Sequence, residues 1–254
     1  MSDNRVWDME ILLENETFDY VEYSVNSWRE WISKAMDAVE ETEVKEIKLL
    51  TYFSIIEMMA QEHYDFPTKS LQGTFTKFVL EFKNKYDFLE LTDPVTLYYR
   101  VEDIISTAVN LEDLENGGVY YPKSGIVREK ADTLNAAITE AKGEEYASKK
   151  ATEHRYVDLL YRMRCRLSHE FSAPHMSLNQ NAHEPYYINC SRQYVTQTGI
   201  VSDEVWQLLF PTSFVKELCL NCFDNYLEYW LRNHVPPNRH NGMDRFCELS
   251  WYSR

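Results

Sequence analysis

The fold turns on one stretch of the chain, Leu159-Leu160-Tyr161-Arg162-Met163-Arg164-Cys165-Arg166-Leu167-Ser168-His169-Glu170. Apolar side chains recur there at helical steps of four, three and four, at Tyr156, Leu160, Met163 and Leu167. Three arginines and a histidine lie within eight residues of the same stretch. The spacing predicts a long helix over 145–168, with one face in a core and with guanidinium groups and an imidazole on another.

The charge of the whole chain sets this basic stretch apart. The 254 residues carry a formal net charge of −15, which argues against a broad nucleic-acid-binding surface, since phosphates need a basic footprint. Residues 1–66 contain 16 acidic and 5 basic side chains, whereas residues 149–170 contain six Lys/Arg against three acids. The sequence therefore predicts a local basic site in the second half of an acidic protein.

Other features of the sequence limit its class. No apolar run approaches the roughly 20 residues that span a bilayer, and the first residues lack the apolar core of a signal peptide. The five cysteines are an odd number without the spacing of a disulfide framework, which favours a reducing, cytoplasmic environment. Only seven glycines occur, which favours long helices over a protein rich in β-hairpins.

Apolar periodicity and capping residues predict an all-α architecture. Asn26 or Ser27 is expected to cap the first helix, and Asp93-Pro94 gives the cap and first-turn proline of the fourth. Glu57 lies in the middle of the second helix, whose apolar residues surround most of its circumference. Besides the 145–168 helix, the predicted helices are 26–41, 43–62, 75–82, 94–109, 127–142, a short helix 202–210 and a last helix 211–233.

A small β-hairpin is predicted near residues 186–196, with two short strands, 186–190 and 193–196, on either side of Ser191 and Arg192. Its tyrosines, Tyr186, Tyr187 and Tyr194, either stack on nucleic-acid bases or pair across the strands. The chain thus divides into an acidic N-terminal arm over 1–25, a helical domain over 26–235 and an irregular tail over 236–254. The acidic arm is complementary in charge to a basic cleft.

The arginines and the histidine of the basic stretch suit phosphate chemistry. Guanidinium groups bind phosphate through planar paired donors, and histidine moves protons near neutral pH. On an ideal helix Arg162, Arg166 and His169 form one stripe, while Arg164 lies about 140° from His169 around the axis. A solvated helix face that pairs with the acidic half of the chain is the other interpretation of this pattern.

The segment Met163-Arg164-Cys165-Arg166-Leu167-Ser168-His169 resembles the Arg-x4–6-His motif of the HEPN superfamily. The apolar, arginine, apolar and histidine positions of the family pattern match Met163, Arg164, Leu167 and His169. Cys165 stands where the family usually has a polar residue. Arg162 also satisfies the looser spacing, and Glu57 resembles the acidic residue that some HEPN proteins place near the motif.

The resemblance implies an all-α helical bundle and a metal-independent endoribonuclease that functions in defence, toxin–antitoxin pairs or RNA processing. It implies a homodimer in which two motifs form one cleft, with RNA as substrate and with a neutralising protein as a further partner. Arg164 would hold the scissile phosphate and His169 would transfer protons, supported by Arg162, Arg166 and Glu57. No cofactor and no metal are expected.

Two alternatives remain open at the level of sequence. A non-catalytic HEPN-like module that binds a nucleotide or a protein partner fits the acidic N-terminal half and Cys165. Cys219-x-x-Cys222 has the spacing of a zinc or redox pair, but it lies among apolar residues of the last helix, where cysteine usually serves as a small core side chain. No glycine-rich phosphate loop, nucleophile elbow or zinc-protease helix occurs.

Overall fold

The computed structural model describes residues 20–64, 70–101, 120–172, 176–177, 182–196 and 199–234. Within them the chain is mostly helical, with eight α-helices and one two-stranded antiparallel hairpin, as the sequence predicts. The helices are α1 Tyr20–Glu40, α2 Lys45–His63, α3 Leu71–Phe82, α4 Pro94–Val101, α5 Gly125–Lys142, α6 Glu144–Glu153, α7 Tyr156–Glu170 and α8 Thr212–Asn233; the strands are β1 Tyr186–Thr196 and β2 Gly199–Leu209. None of the helices in these ranges has the length and apolarity that crossing a membrane requires.

The chain forms two compact units. Of the described residues, 20–41 and 224–234 belong to the smaller unit, and those between 42 and 223 belong to the larger one. In the smaller unit the Trp28 and Trp230 rings meet edge to face, with their centroids 5.1 Å apart. Its helix α1 begins at Tyr20, so the expected cap at Asn26 or Ser27 is wrong. The rest of the N-terminal arm and the tail lie outside the described residues.

In the larger unit, α2, α3 and α7 pack together through aromatic rings. The Phe75 ring of α3 lies 6.2 Å from Phe53 of α2 and 5.4 Å from Tyr161 of α7, measured between centroids. Phe53 and Phe75 are completely buried. Four more residues of α2 are at most 1% exposed: Tyr52, Ile56, Met59 and Ala60. Helix α2 is therefore central, as its apolar circumference predicts, and Glu57 sits inside this packing.

A second apolar cluster joins α4, α5 and α6. Its buried members are Leu97, Val101, Leu134, Ile138 and Ala147. Gly143 ends α5 and precedes α6 with φ of +89°, a conformation that L side chains rarely adopt. The predicted break at this glycine is confirmed, and the expected continuation of α4 to residue 109 lies outside the described residues.

The predicted helix over 145–168 is two helices. Helix α6 ends at Glu153 and α7 begins at Tyr156, with Arg155 extended between them (φ −66°, ψ 150°). The segment before α4 pairs with this joint: the Asp93 amide donates to the His154 carbonyl at 2.8 Å, and the Tyr156 amide donates to the Leu91 carbonyl at 3.1 Å. Since these backbone bonds come from a distant part of the chain, helix periodicity could not reveal the break.

The hairpin is longer than predicted. Residues 186–196 form one strand instead of two, and its partner is 199–209, so the expected short helix over 202–210 is wrong. The register runs without interruption from Tyr186 opposite Leu209 to Thr196 opposite Gly199. Ile, Val and Trp residues favour the strand here, and Trp206 and Leu208 bury one face of it.

Candidate functional site

The ion pair of Arg164 and Glu57 is the centre of the basic stretch. Nε of Arg164 donates to Oε2 of Glu57 at 3.0 Å, and Nη2 donates to the same oxygen. The Glu57 side chain is 10% exposed and the Arg164 side chain is 21% exposed. Helix α7 therefore presents Arg164 toward α2, and the sequence-predicted proximity of these two residues is present in the structure.

One oxygen of the carboxylate stays without a partner. Oε1 of Glu57 is buried and accepts no hydrogen bond, while Oε2 takes both bonds from Arg164. A buried carboxylate needs a compensating charge, so the guanidinium is held by more than its own helix. The geometry fixes one edge of the arginine and leaves its Nη1 amino group outside these two bonds.

Electrostatics keep this arginine charged. Partial burial lowers the pKa of Arg164, but the hydrogen bond and charge of Glu57 raise it more, so the net shift of the pKa is upward. Burial raises the pKa of the neighbouring Tyr161 to about 12, with a hydrogen bond to Cys165 adding to the rise. Tyr161 is therefore a neutral phenol beside a permanent cation at physiological pH.

His169 lies on the last turn of α7 and is exposed to solvent. The helix ends one residue later, at Glu170, and Phe171 after it adopts a left-handed conformation with φ of 48° and ψ of 38°. Nearby, the Ser168 hydroxyl donates to the Arg164 carbonyl at 3.0 Å, within the helix. The imidazole is thus accessible rather than packed against its own core, which an acid–base role requires.

The other two arginines have different surroundings. Nη2 of Arg162 donates to the Glu153 carbonyl at 2.6 Å, so Arg162 satisfies a free carbonyl at the end of α6. Arg166 is exposed and makes no ion pair within the described ranges. Arg166 is consequently the more available auxiliary phosphate contact of the two.

The structure brings some of the predicted site residues together and keeps others apart. Glu57 and Arg164 are in contact. An α-helix with 3.6 residues per turn places Arg164 and His169 about 140° apart around its axis. Arg162, Arg166 and His169 share the exposed side of α7. A single copy of the chain therefore presents the arginine and the histidine of the motif in different directions.

Sequence reasoning missed two features around this helix. Tyr161 lies three residues before Arg164, and its place beside Glu57 depends on the packing of α2 against α7. The second feature is a buried hydrogen-bond network, in which the Tyr187 hydroxyl donates to Asp93 and the Tyr156 and Tyr187 hydroxyls lie 2.5 Å apart.

This buried hydrogen-bond network argues against base stacking by the hairpin tyrosines Tyr186 and Tyr187. Tyr187 is completely buried and Tyr186 is 7% exposed, so neither presents a ring to bases in solution. Asp93 also caps α4, since its carboxylate accepts from the Thr96 amide at 2.9 Å. Burial raises the pKa of Tyr187 well above its ordinary value, and the neighbouring Asp93 charge adds to this rise. The hairpin is thus anchored to the helical domain through Tyr187, whose hydroxyl donates to Asp93.

Cys219 and Cys222 lie on the buried face of α8. Both are fully buried free thiols, and burial raises the pKa of each. Within the described part of the chain, no group of three or more His, Cys, Asp or Glu side chains is arranged to hold a metal ion. Among those residues the pair has no further ligands of the kind that a zinc site needs.

Two adjoining hollows open between α5, α6 and the segment before α4. They measure about 380 Å³ and 360 Å³ and share Glu90, Thr92, Asn135 and Ala151. Arg155 borders the first hollow and Arg128 the second, beside acidic side chains. Such volumes suit a small polar ligand, although the mixed charge favours no particular class.

Comparison of the chain with protein-family models, characterised proteins and solved structures found no match. The function is therefore argued from the residues of this chain: an accessible imidazole, a guanidinium oriented by a buried carboxylate, and further arginine side chains on the exposed side of the same helix.

Proposed function

We propose that this protein is a metal-independent endoribonuclease of the HEPN type. The observation that carries the proposal is the pairing of Arg164 with the nearly buried Glu57, on the same helix as an exposed His169. An arginine oriented by a carboxylate keeps donors for a phosphate, and an exposed histidine can exchange protons with substrate. The reduced thiols Cys219 and Cys222 are compatible with a cytoplasmic enzyme.

The proposed reaction needs only the groups of the RNA and of the protein. The 2′-oxygen of a ribose attacks the adjacent phosphorus while the bond from phosphorus to the 5′-oxygen breaks. His169 accepts the proton of the 2′-hydroxyl or supplies a proton to the leaving oxygen. The products are a 2′,3′-cyclic phosphate and a 5′-hydroxyl, and no water is consumed in this step.

Arg164 stabilises the charge that develops on the phosphate in the transition state. Its Nε and Nη2 groups are bound to Glu57, so the Nη1 edge is the part that faces a non-bridging oxygen. Arg166, exposed on the same helix, adds a second positive charge for the backbone of the RNA. Glu57 positions the arginine and does not touch the substrate.

A homodimer reconciles these roles with helix geometry. Arg164 and His169 of one chain diverge by about 140°, so one helix alone does not direct both at the same phosphate. Two copies of α7 that face each other supply an arginine and a histidine to one cleft, as the HEPN resemblance implies. RNA is thus the proposed substrate, in a defence or toxin–antitoxin setting with a neutralising protein partner.

A non-catalytic module that binds a nucleotide or a protein partner is the second candidate. The observation in its favour is that Glu57 already neutralises Arg164, which weakens the attraction of that side chain for phosphate. The hollow of about 380 Å³ between α5 and α6 offers space for a small polar ligand. This candidate predicts nucleotide binding without any change in the length of added RNA.

Product chemistry separates the two candidates. We expect the purified protein to cut single-stranded RNA in EDTA and to leave 2′,3′-cyclic phosphate and 5′-hydroxyl ends. An otherwise identical oligonucleotide with 2′-deoxyribose at the cut position serves as the matched substrate and should stay intact. Cleavage that requires a divalent cation, or that leaves 3′-hydroxyl ends, contradicts the proposal.

A further inference from the structure

The residue that follows α7 is in an unusual conformation. Phe171 has φ of 48°, in the left-handed region. Glycine, or sometimes asparagine, normally occupies such a position after a helix, because a side chain there is strained. The other described non-glycine residues with positive φ are Asn84 and His234, and asparagine and histidine are among the types that adopt this region more often. A phenylalanine there is the exception.

Phe171 is also exposed. Its relative exposure is 57%, the largest among the exposed apolar side chains in the described part of the chain. The residue therefore carries two costs for the fold, a strained backbone and an aromatic ring in water. Neither a helix stop nor core packing requires a phenylalanine, since a glycine would end α7 without either cost.

The neighbours of Phe171 favour nucleic acid over a protein surface. Outside the core, the exposed side chains of α7 are all polar or charged: Arg162, Arg166, Ser168, His169 and Glu170. A protein interface buries roughly 800 Å² on each partner and usually has an apolar centre. An exposed ring at the end of a helix whose exposed side chains include a histidine and two arginines instead suits stacking on unpaired bases.

We propose that Phe171 stacks on a nucleobase of the RNA next to the scissile phosphate and so positions that phosphate at His169. The inference rests on the proposed function and deepens it, because it assigns a residue that positions the RNA and gives a physical reason for a preference for unpaired bases. A base is available for stacking only where it is unpaired, whereas a duplex keeps its bases stacked on one another. Phe171 is a positioning residue, and the proton transfers remain with His169.

The test measures RNA binding in EDTA by fluorescence anisotropy, with a labelled single-stranded oligonucleotide. His169→Ala is the common background, so that the oligonucleotide stays intact. We expect Phe171→Gly and Phe171→Leu to bind roughly tenfold more weakly, and Phe171→Trp to bind at least as tightly as the parent. Inorganic polyphosphate, which has the charge without bases, should bind all four proteins equally.

Thermal melting separates this role from a structural one. Glycine relieves the left-handed strain, so Phe171→Gly should melt at the same or a higher temperature even though it binds RNA more weakly. Equal RNA binding by the parent, Phe171→Gly and Phe171→Leu would overturn the inference while the endoribonuclease proposal stands. A dimer that dissociates in Phe171→Gly would overturn it in favour of a subunit contact. Wild-type protein that neither binds nor cuts RNA would refute the proposed function itself.

Discussion

The ion pair between Glu57 and Arg164 makes a quantitative prediction about stability. The perturbation is a double-mutant cycle of Glu57→Gln, Arg164→Met and the double variant. Glutamine keeps the shape of the glutamate but removes its charge, and methionine keeps much of the aliphatic stem of arginine. Both partners lie inside the packing of α2 against α7, so the pair is shielded from most of the solvent.

The magnitude follows from burial and hydrogen bonding. Glu57→Gln weakens two charge-assisted bonds to a side chain that is 21% exposed, and should cost about 2 kcal/mol. Arg164→Met leaves a nearly buried carboxylate without a donor and should cost about 3 kcal/mol, at the low end for breaking a buried pair. The double variant no longer carries the stranded carboxylate. Its loss of stability should therefore be about 2 kcal/mol smaller than the sum of the losses in the two single variants.

Urea denaturation at neutral pH, followed by circular dichroism, measures the free energy of unfolding of all four proteins. The exposed pair of Lys34 and Glu30, with its nitrogen and oxygen 2.6 Å apart, is the control cycle and should show no measurable coupling. Additive effects of Glu57→Gln and Arg164→Met, within about 0.5 kcal/mol, would refute a shielded pair. The same Glu57→Gln variant should also cut RNA more slowly, because its arginine is less firmly oriented.

Three further predictions concern the framework around the site. Tyr187→Phe should cost about 1–3 kcal/mol in urea denaturation, because the buried Asp93 loses a donor. Burial raises the pKa of Tyr187 in the folded protein, so the wild type should lose stability as the pH rises above about 10, the pKa of tyrosine in the unfolded chain. The loss should be smaller in Tyr187→Phe, and thermal melts at graded pH measure both. Gly143→Ala should cost about 1–2 kcal/mol of stability, because φ of +89° strains any residue with a side chain. Gly125→Ala is the control and should be nearly neutral, since Gly125 has no such positive φ and has open space around its Cβ. Urea denaturation compares the two variants.

Periodicity and capping predicted most of the helical framework. The apolar circumference of α2, the cap residue Asp93 and the first-turn proline of α4, and the break at Gly143 are local signals, and each corresponds to an observed element. Two of the errors in secondary structure have distant causes. The α6–α7 break depends on a backbone bridge between Thr92 and Arg155, and β2 depends on its pairing with β1.

The site was predictable to a smaller extent. The family resemblance led us to expect Glu57 near the Arg–His motif, and the structure has it in contact with Arg164. Helical geometry also separates Arg164 from the stripe of Arg166 and His169, and in the structure Arg164 pairs with Glu57 while Arg166 and His169 are exposed. The exposure and left-handed backbone of Phe171 had no signal in the sequence, because they depend on how the chain leaves α7.

The most direct test of the proposed function is the rate of RNA cleavage in EDTA by the wild type and by His169→Ala. His183→Ala, which removes another exposed histidine of the larger unit, is the matched control. Because acid–base catalysis by a side chain is typically worth about 10²–10⁴-fold, His169→Ala should be at least about 100-fold slower, while His183→Ala should match the wild type. Equal rates for the wild type and His169→Ala would contradict the proposal.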